Sequence, residues 1–510
     1  MATWRRHLPS GVRAGIRERV AVDARALGVF RILLGTLLVL DVLLRARDLG
    51  AHYSDGGVFP RPAAIRLYDP LSVHLAVGDG PALAALFALQ ALVAVCFLVG
   101  YRTRLATLLT WVLWLSLHAR FPLVLNGGDT LLRMSLFWSL FVPLGARFSV
   151  DALHREAPPE TVHSMGTAAL LGQVVFMYGT NVALKHMGVV WRAGDGLTYA
   201  LQLGHFTTPF GELLSTLPLV TTALGYAVYV LWTFSPGLVL LTGWKRAALA
   251  AAFVAMHVGM ALSMHLGLFP LVVVTTLLLF LPPTVWDRLL PAARVERGRA
   301  RLRTTGATAL ARGLYPTAAP HERFDSVRRG LRVLAAVVIV VSVLFVGLYN
   351  VQVLTNRADV GPQDTVPEPL ETYGETASLT QHWTMFAPDP LRETGWYRLP
   401  GRLENGTTVD VARGGPVTEE RPPALADDLA AQYPNQRWRK YVSNLLEPGY
   451  GDERRLFLAY HCSRWNRNHA VDVERVELEY VTLRTTKTGT VRQGVARLAG
   501  HRCEARARGR

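Results

Sequence analysis

From about residue 27 to residue 353, long apolar runs alternate with short breaks that are either basic or rich in glycine and proline; beyond 353 the chain turns to ordinary mixed sequence. The runs fall at about 27–45, 82–100, 103–121, 129–147, 164–185, 214–242, 246–264, 267–286 and 332–353. Most approach or exceed the roughly 20 residues needed to cross a hydrocarbon core about 30 Å thick. The pattern predicts an all-α polytopic membrane helix bundle of about nine transmembrane helices. Pro236–Gly237 predicts a kink inside the sixth run. After residue 353 the periodicity changes. "VERVELEYVTLRT" alternates at period two, as a strand does, and "LENGTTV" carries the Asn-Gly signal of a tight hairpin. "RWRKYVSNLL" and "LFLAYHCSRWN" read as helices, so the last part is predicted to be a small α+β domain. The expected division is a basic N-terminus at 1–26, a multi-helix membrane domain at 27–290, a basic linker at 291–331, a last transmembrane helix at 332–353 and the α+β domain at 354–510.

Charge then sets an orientation. The formal net charge is +16. In a soluble protein this would raise nucleic acid as a partner, but here the arginines collect in alternate short loops, as cytoplasmic loops of membrane proteins do. The N-terminus carries Arg5, Arg6, Arg13, Arg17, Arg19 and Arg25; later loops carry Arg102 and Arg104, Arg147 and Arg155, and Lys245 and Arg246. With nine spans these all fall on one side. A multi-pass cell-membrane protein is therefore expected, with a cytoplasmic N-terminus and an extracytoplasmic C-terminal domain. The Arg-dense 291–331 segment reads as a solvated linker near anionic lipid. No cleaved leader is predicted, because no small-residue cleavage site follows the first apolar run. Cys96 lies inside an apolar run; Cys462 and Cys503 could pair if their domain is outside the cell. The cysteine and histidine spacing predicts no metal site.

The loops assigned outward are rich in Gly, Pro, Asp, His and aromatic residues: "HYSDGGVFPRPA", "RFPLVLNGGDTLLR", "LGHFTTPFGE" and "MHLGLFP". They are expected to pack as a cap or to line a cavity, since irregular backbone near a bilayer needs such cover. Among their neighbours Lys185 stands out at the outer end of the fifth run, beside Asn181, His186, Asp195 and His205. It has two readings. Its ammonium could snorkel to the interface, with Trp191 as an ordinary interfacial aromatic. Alternatively, desolvation penalises the charged form of an enclosed amine, which can then serve as a base or nucleophile near neutral pH. Asp129 reads most simply as a helix cap after "NGG", and Asp55 as a turn residue. His257, inside the seventh run, either bonds a neighbouring helix or faces a cavity. Trp383, Trp396, Trp438 and Trp465 read as core aromatics. No P-loop, dinucleotide fingerprint or serine-nucleophile elbow occurs.

"FRILLGTLLVLDVLLR", "HYSDGGVFPR", "NGGDTLLRMSLFWSLFVPLGARFSVD", the Lys185–Trp191–Gly194 segment and "HLGLFPLVVVTTLLLFLPPTVWDRL" occur in order over about residues 25–290. Together they resemble the HTTM (horizontally transferred transmembrane) domain, which is related to vitamin K-dependent gamma-glutamyl carboxylase. The "W-MFAPDP" and "RWRKY" stretches resemble segments that follow this domain, especially in prokaryotic members. The resemblance implies a membrane enzyme that uses a reduced quinone, with carbon dioxide and oxygen, to carboxylate or otherwise modify a secreted peptide or protein. It matches Lys185 to the base that deprotonates the hydroquinone. His186, Asp129 and His257 are the other candidate catalytic residues, and Trp191, His265 and Phe269 the candidate cofactor-binding ones. Two departures accompany it: Asp129 stands where the carboxylase has a histidine, and Lys185 is single where the vertebrate enzyme has two adjacent lysines. The alternative is a non-catalytic membrane scaffold or maturation factor for a secreted partner.

Overall fold

The computed structural model describes residues 9–153, 159–291, 297–298, 300, 325–360, 364–418, 420–422, 425 and 428–504. Most of the arginine-dense 291–331 linker lies outside the described residues, as do residues 1–8. Among the described residues, five helices are long and apolar enough to cross a membrane: Ala24–Ala46, Gly80–Val99, Met165–Met187, Gly243–Ser263 and the apolar part of Asp325–Ala358. Their ends follow local chemistry. Asp23 caps the first by accepting from Arg25 N, and Gly100 stops the second in the left-handed region at φ 69°. The last helix has 34 residues, about 51 Å at 1.5 Å per residue, so it outruns a bilayer core of about 30 Å.

Against the nine spans expected, these five become seven if each of two bent helix pairs is one span. The bends are physical consequences of proline. Pro209–Ser215 and Pro218–Thr233 meet at 104°, and Pro236 starts a further short helix, Gly237–Leu240. The Phe269–Phe280 segment meets Pro283–Leu289 at 109°, across Pro282–Pro283. The fourth predicted run yields only the 13-residue helix Gly127–Ser139, because Pro143 breaks the chain into a tight turn at Leu144–Ala146. The third forms the 18-residue helix Thr103–Arg120, which packs along Gly80–Val99 and holds Arg104, His118 and Arg120.

The C-terminal domain is α+β, as predicted. Val473–Thr486 is its organising strand and pairs antiparallel with Glu393–Arg398, Pro400–Leu403 and Gly489–Arg502. Thr408–Asp410 and Gly415–Pro416 extend the sheet beyond Pro400–Leu403. The Asn405–Gly406 hairpin forms, with Gly406 at φ 84° and Asn405 Oδ1 accepting from Thr407 N. Helices Gln436–Leu446 and Gly451–Asn468 complete the domain. A Cys462–Cys503 disulfide ties the second helix to the end of the last strand.

Between the last span and the sheet the chain forms the helix Glu368–Thr376, which lies back on the last span. Its Tyr373 hydroxyl is 2.7 Å from Ser342 Oγ. From there the chain runs into the membrane domain: Leu379 and Trp383 are fully buried. The loops predicted to form a cap meet the Gln436–Leu446 region. Asp48 accepts from Asn435 and from the Trp438 indole, Gln436 accepts from Asn126, Asn444 donates to the Leu123 carbonyl, and Arg439 donates to the His205 carbonyl.

Candidate functional site

Lys185 lies in the last turn of Met165–Met187, one turn beyond Asn181 and two beyond Tyr178, so the three share a face. That face turns inward. Lys185 is 1% exposed. Its Nζ donates to Asn181 Oδ1 at 2.6 Å and to the Met385 carbonyl at 2.8 Å. It also stands 4.7 Å from the centre of the Trp191 ring and 4.5 Å from that of Trp232. Among the described residues no carboxylate pairs with it. The amine is thus held by neutral acceptors and indole faces, which suits proton exchange better than a structural ion pair would.

The C-terminal domain supplies one wall. Residues Trp383–Asp389 form a loop whose backbone carbonyls point at the membrane helices. Asn181 Nδ2 donates to the carbonyls of Trp383 and Met385, and the Trp191 indole donates to that of Phe386 at 2.6 Å. Asp389 accepts from the amides of Val189 and Val190, just beyond the helix end. The loop comes so close that a Cβ on Gly188 would sit 2.2 Å from the Pro388 carbonyl oxygen, so only glycine fits there.

These elements line an apolar cavity of about 40 Å³. Lys185, Asn181, Tyr178 and His257 give it four polar groups among Met, Phe and Trp side chains. The Tyr178 hydroxyl is 2.7 Å from His257 Nε2, and His257 Nδ1 is buried with no partner among the described residues.

The other candidates sort clearly by geometry. His257 and Phe269 line this cavity, and Trp191 covers the amine. His186 does not reach it. One residue turns a helix by about 100°, so the ring after Lys185 faces outward, where it is exposed and bonded back to the Val182 carbonyl. His265 is also exposed, outside the cavity, with its backbone N–H on the Phe206 carbonyl. Asp129 belongs to a different centre. It caps Gly127–Ser139 with Asn126 in a reciprocal pair, as its simplest reading predicts.

Asp129 also does more than cap. Arg45 Nη2 donates to it at 2.7 Å, and Arg45 Nε donates to Asp41 at 2.8 Å. Arg437 from the C-terminal domain bonds both Asp129 and Asp41, and the Tyr53 hydroxyl accepts from Arg45. His118 Nε2 is 3.7 Å from Asp129 Oδ1. Two guanidinium groups and two carboxylates thus meet in a buried, charge-balanced cluster.

A family model for the HTTM domain matches residues 20–286, more than half of the chain. The chain belongs to the HTTM family. No curated protein and no solved structure matches it. The family is consistent with the resemblance to the carboxylase, and the apolar helices make this HTTM protein an integral, multi-pass membrane protein in contact with lipid. Three groups of its candidate site escaped the sequence reading. Tyr178 was legible as the residue seven before Lys185. The Asp41–Arg45 pair was legible as two charges four apart inside an apolar run. Trp232 and the carbonyls of Trp383, Met385 and Phe386 carried no local signal, because only the tertiary fold brings them to Lys185.

Proposed function

We propose that this HTTM protein is a membrane enzyme of the carboxylase-like kind, in which Lys185 is the base and the Trp383–Asp389 loop closes its chamber. The observation that carries the reading is the buried Lys185 amine, facing a cavity and, among the described residues, bonded only to neutral acceptors. As a free amine, Nζ has two N–H bonds, which Asn181 and the Met385 carbonyl take up, leaving the lone pair for a substrate proton. After transfer, the Trp191 and Trp232 faces favour the ammonium formed. Tyr178 and His257 stand across the same cavity.

The reduced quinone suits this site in chemistry and not in size. The walls are aromatic and apolar, as a quinone ring requires. The volume of about 40 Å³ is close to the share of one water, about 30 Å³, and far below the roughly 150 Å³ that holds benzene. In this arrangement the cavity therefore does not admit a quinone ring. A substrate ring needs the loop to withdraw, and the same tight closure favours the second reading, a non-catalytic scaffold or maturation factor that holds a secreted partner.

The proposed orientation is a cytoplasmic N-terminus with the C-terminal domain outside. The basic loops support it, as does the Cys462–Cys503 disulfide, which suits an oxidising compartment. Seven spans keep Lys245 and Arg246 on the side of the other basic loops, whereas five would place them opposite; both counts are odd and leave the two ends on opposite sides. The test uses the full-length protein in lipid nanodiscs with a reduced naphthoquinone, labelled carbon dioxide, oxygen and a glutamate-containing peptide. The enzyme reading predicts labelled peptide or oxidised quinone product. Absence of both, with a secreted partner recovered by crosslinking, would establish the scaffold instead.

A further inference from the structure

Before the first span the chain forms an 11-residue helix, Ser10–Val20. None of its residues is buried, so the hydrophobic effect gives it little hold on the protein itself. Its place is set by hydrogen bonds at its end. Arg19 Nε donates to the Leu240 carbonyl at 3.0 Å, and Arg246 Nη1 donates to the Arg19 carbonyl at 3.0 Å. Leu240 ends the short Gly237–Leu240 helix, and Arg246 lies in the first turn of the Gly243–Ser263 span. The Ser10–Val20 helix is therefore fixed at one end of a membrane-crossing helix. That span has 21 residues, about 31 Å at 1.5 Å per residue, which matches a hydrocarbon core of about 30 Å. At its far end the Pro209–Ser215 helix is tied on, with Thr208 Oγ1 donating to the Leu262 carbonyl at 2.6 Å. The two helices thus mark the two faces of the bilayer.

What the Ser10–Val20 helix shows outward suits that place. Val12 and Ile16, one turn apart on one face, are 48% and 49% exposed. Arg17 follows them and is exposed. The start of the span adds Trp244, 73% exposed, and an exposed Lys245. A tryptophan this uncovered is costly in water and common at the headgroup level of a bilayer. The helix carries one carboxylate, Glu18, whose charge acts on Arg246. Apolar side chains beside arginine and lysine make up a helix that lies in the plane of an anionic interface.

We propose that the Ser10–Val20 helix and Trp244 form a docking surface for an anionic lipid leaflet, with Val12, Ile16 and Trp244 in the acyl boundary and Arg17 and Lys245 at the lipid phosphates. The long stems of Arg17 and Lys245 let their charges reach the headgroups from an apolar footing, and guanidinium matches phosphate in geometry as well as charge. The anchor fixes the depth of the Gly243–Ser263 span, which carries His257 to the Lys185 chamber.

The test uses full-length Cys96→Ala protein with a nitroxide spin label at V12C, I16C or, on the opposite face of the helix, A14C. The protein is reconstituted in phosphatidylcholine vesicles with or without phosphatidylglycerol. Electron paramagnetic resonance then compares collisions with dioxygen, which concentrates among acyl chains, and with a water-soluble nickel chelate. With phosphatidylglycerol, the oxygen-to-nickel ratio at positions 12 and 16 is expected to exceed that at position 14 by about tenfold. R17Q/K245Q is expected to remove the gain that phosphatidylglycerol gives over phosphatidylcholine, at an unchanged melting temperature. Equal ratios at all three positions would overturn docking. A ratio indifferent to phosphatidylglycerol, or a gain kept by R17Q/K245Q, would overturn the anionic contacts. Dipolar broadening at position 12 that vanishes on dilution with unlabelled protein would overturn lipid as the occupant and give the face to a second copy of the chain.

Discussion

The Lys185 chamber and the Asp129 cluster both bury ionisable side chains where the C-terminal domain meets the membrane helices. Their charge logic is opposite. Around Asp129, each carboxylate has a guanidinium partner, and one guanidinium, Arg437, comes from the C-terminal domain. Around Lys185, the C-terminal domain brings only backbone carbonyls, and the amine has no counter-charge among the described residues. A buried charge costs least when it is paired, so the first arrangement fastens two domains together and the second leaves a group able to exchange a proton. The same contrast separates the acidic and basic candidates of the sequence, Asp129 and Lys185, into a charge-paired site and one without a counter-charge among the described residues.

The largest expected effect comes from breaking the charge balance. Arg437→Met leaves Asp41 and Asp129 with one guanidinium between them. It is expected to destabilise the protein by about 3–5 kcal/mol, the cost of a broken buried pair, read as a lower melting temperature and earlier proteolysis of the C-terminal domain. Adding Asp41→Leu should recover part of the loss. No recovery would mean that the cluster acts through shape rather than charge.

Acid should loosen the same domain more gently. His205 sits at the junction, with Nδ1 2.8 Å from Thr394 Oγ1 and Arg439 bonded to its carbonyl; burial, then Arg439, pushes it down to about 3. His461, packed on Phe457 and Tyr460 inside the C-terminal domain, is likewise pushed down to about 3 by burial, with Arg464 adding to the effect. Both are neutral when folded and protonate near 6.5 when unfolded. Their stabilisation is therefore complete above about pH 6.5 and declines as the pH falls toward 3. By pH 5 each should cost about 2 kcal/mol. His205→Gln, which keeps the bond to Thr394, should flatten its share of the melting-temperature profile between pH 7 and 5.

The smallest effect on stability is expected at Lys185 itself. Lys185→Met strands no counter-ion and Met385 O keeps its bond from Asn181, while relief from burying the amine offsets the donor lost to Asn181 Oδ1. The change should stay within about 1 kcal/mol. A loss as large as that of Arg437→Met would mean that Lys185 is structural too.

Much of this contrast could be read along the chain, and the unread part has a physical cause. The apolar runs marked the membrane helices, but composition does not show that prolines at 209, 218, 282 and 283 bend the later runs, or that the fourth run ends as a 13-residue helix before Pro143. The period-two stretch after residue 473 and the Asn405–Gly406 turn gave the sheet directly. Lys185 was legible because a lysine at the end of an apolar run is costly, and the linked Cys462 and Cys503 because they share the polar domain. His186 and His265 were grouped with it by proximity in sequence, which helix rotation and loop direction do not respect. The loop at Trp383–Asp389 is about 200 residues from Lys185, a separation across which no local pattern operates.

The central claim is that Lys185 serves chemistry and the Asp129 cluster serves assembly. It is tested most directly by product formation per folded molecule in nanodiscs, compared among wild type, Lys185→Met and Arg437→Met. The account predicts at least a thousandfold loss for Lys185→Met at a wild-type melting temperature, and a rate within a few fold of wild type for the folded fraction of Arg437→Met. Full turnover by Lys185→Met would contradict it.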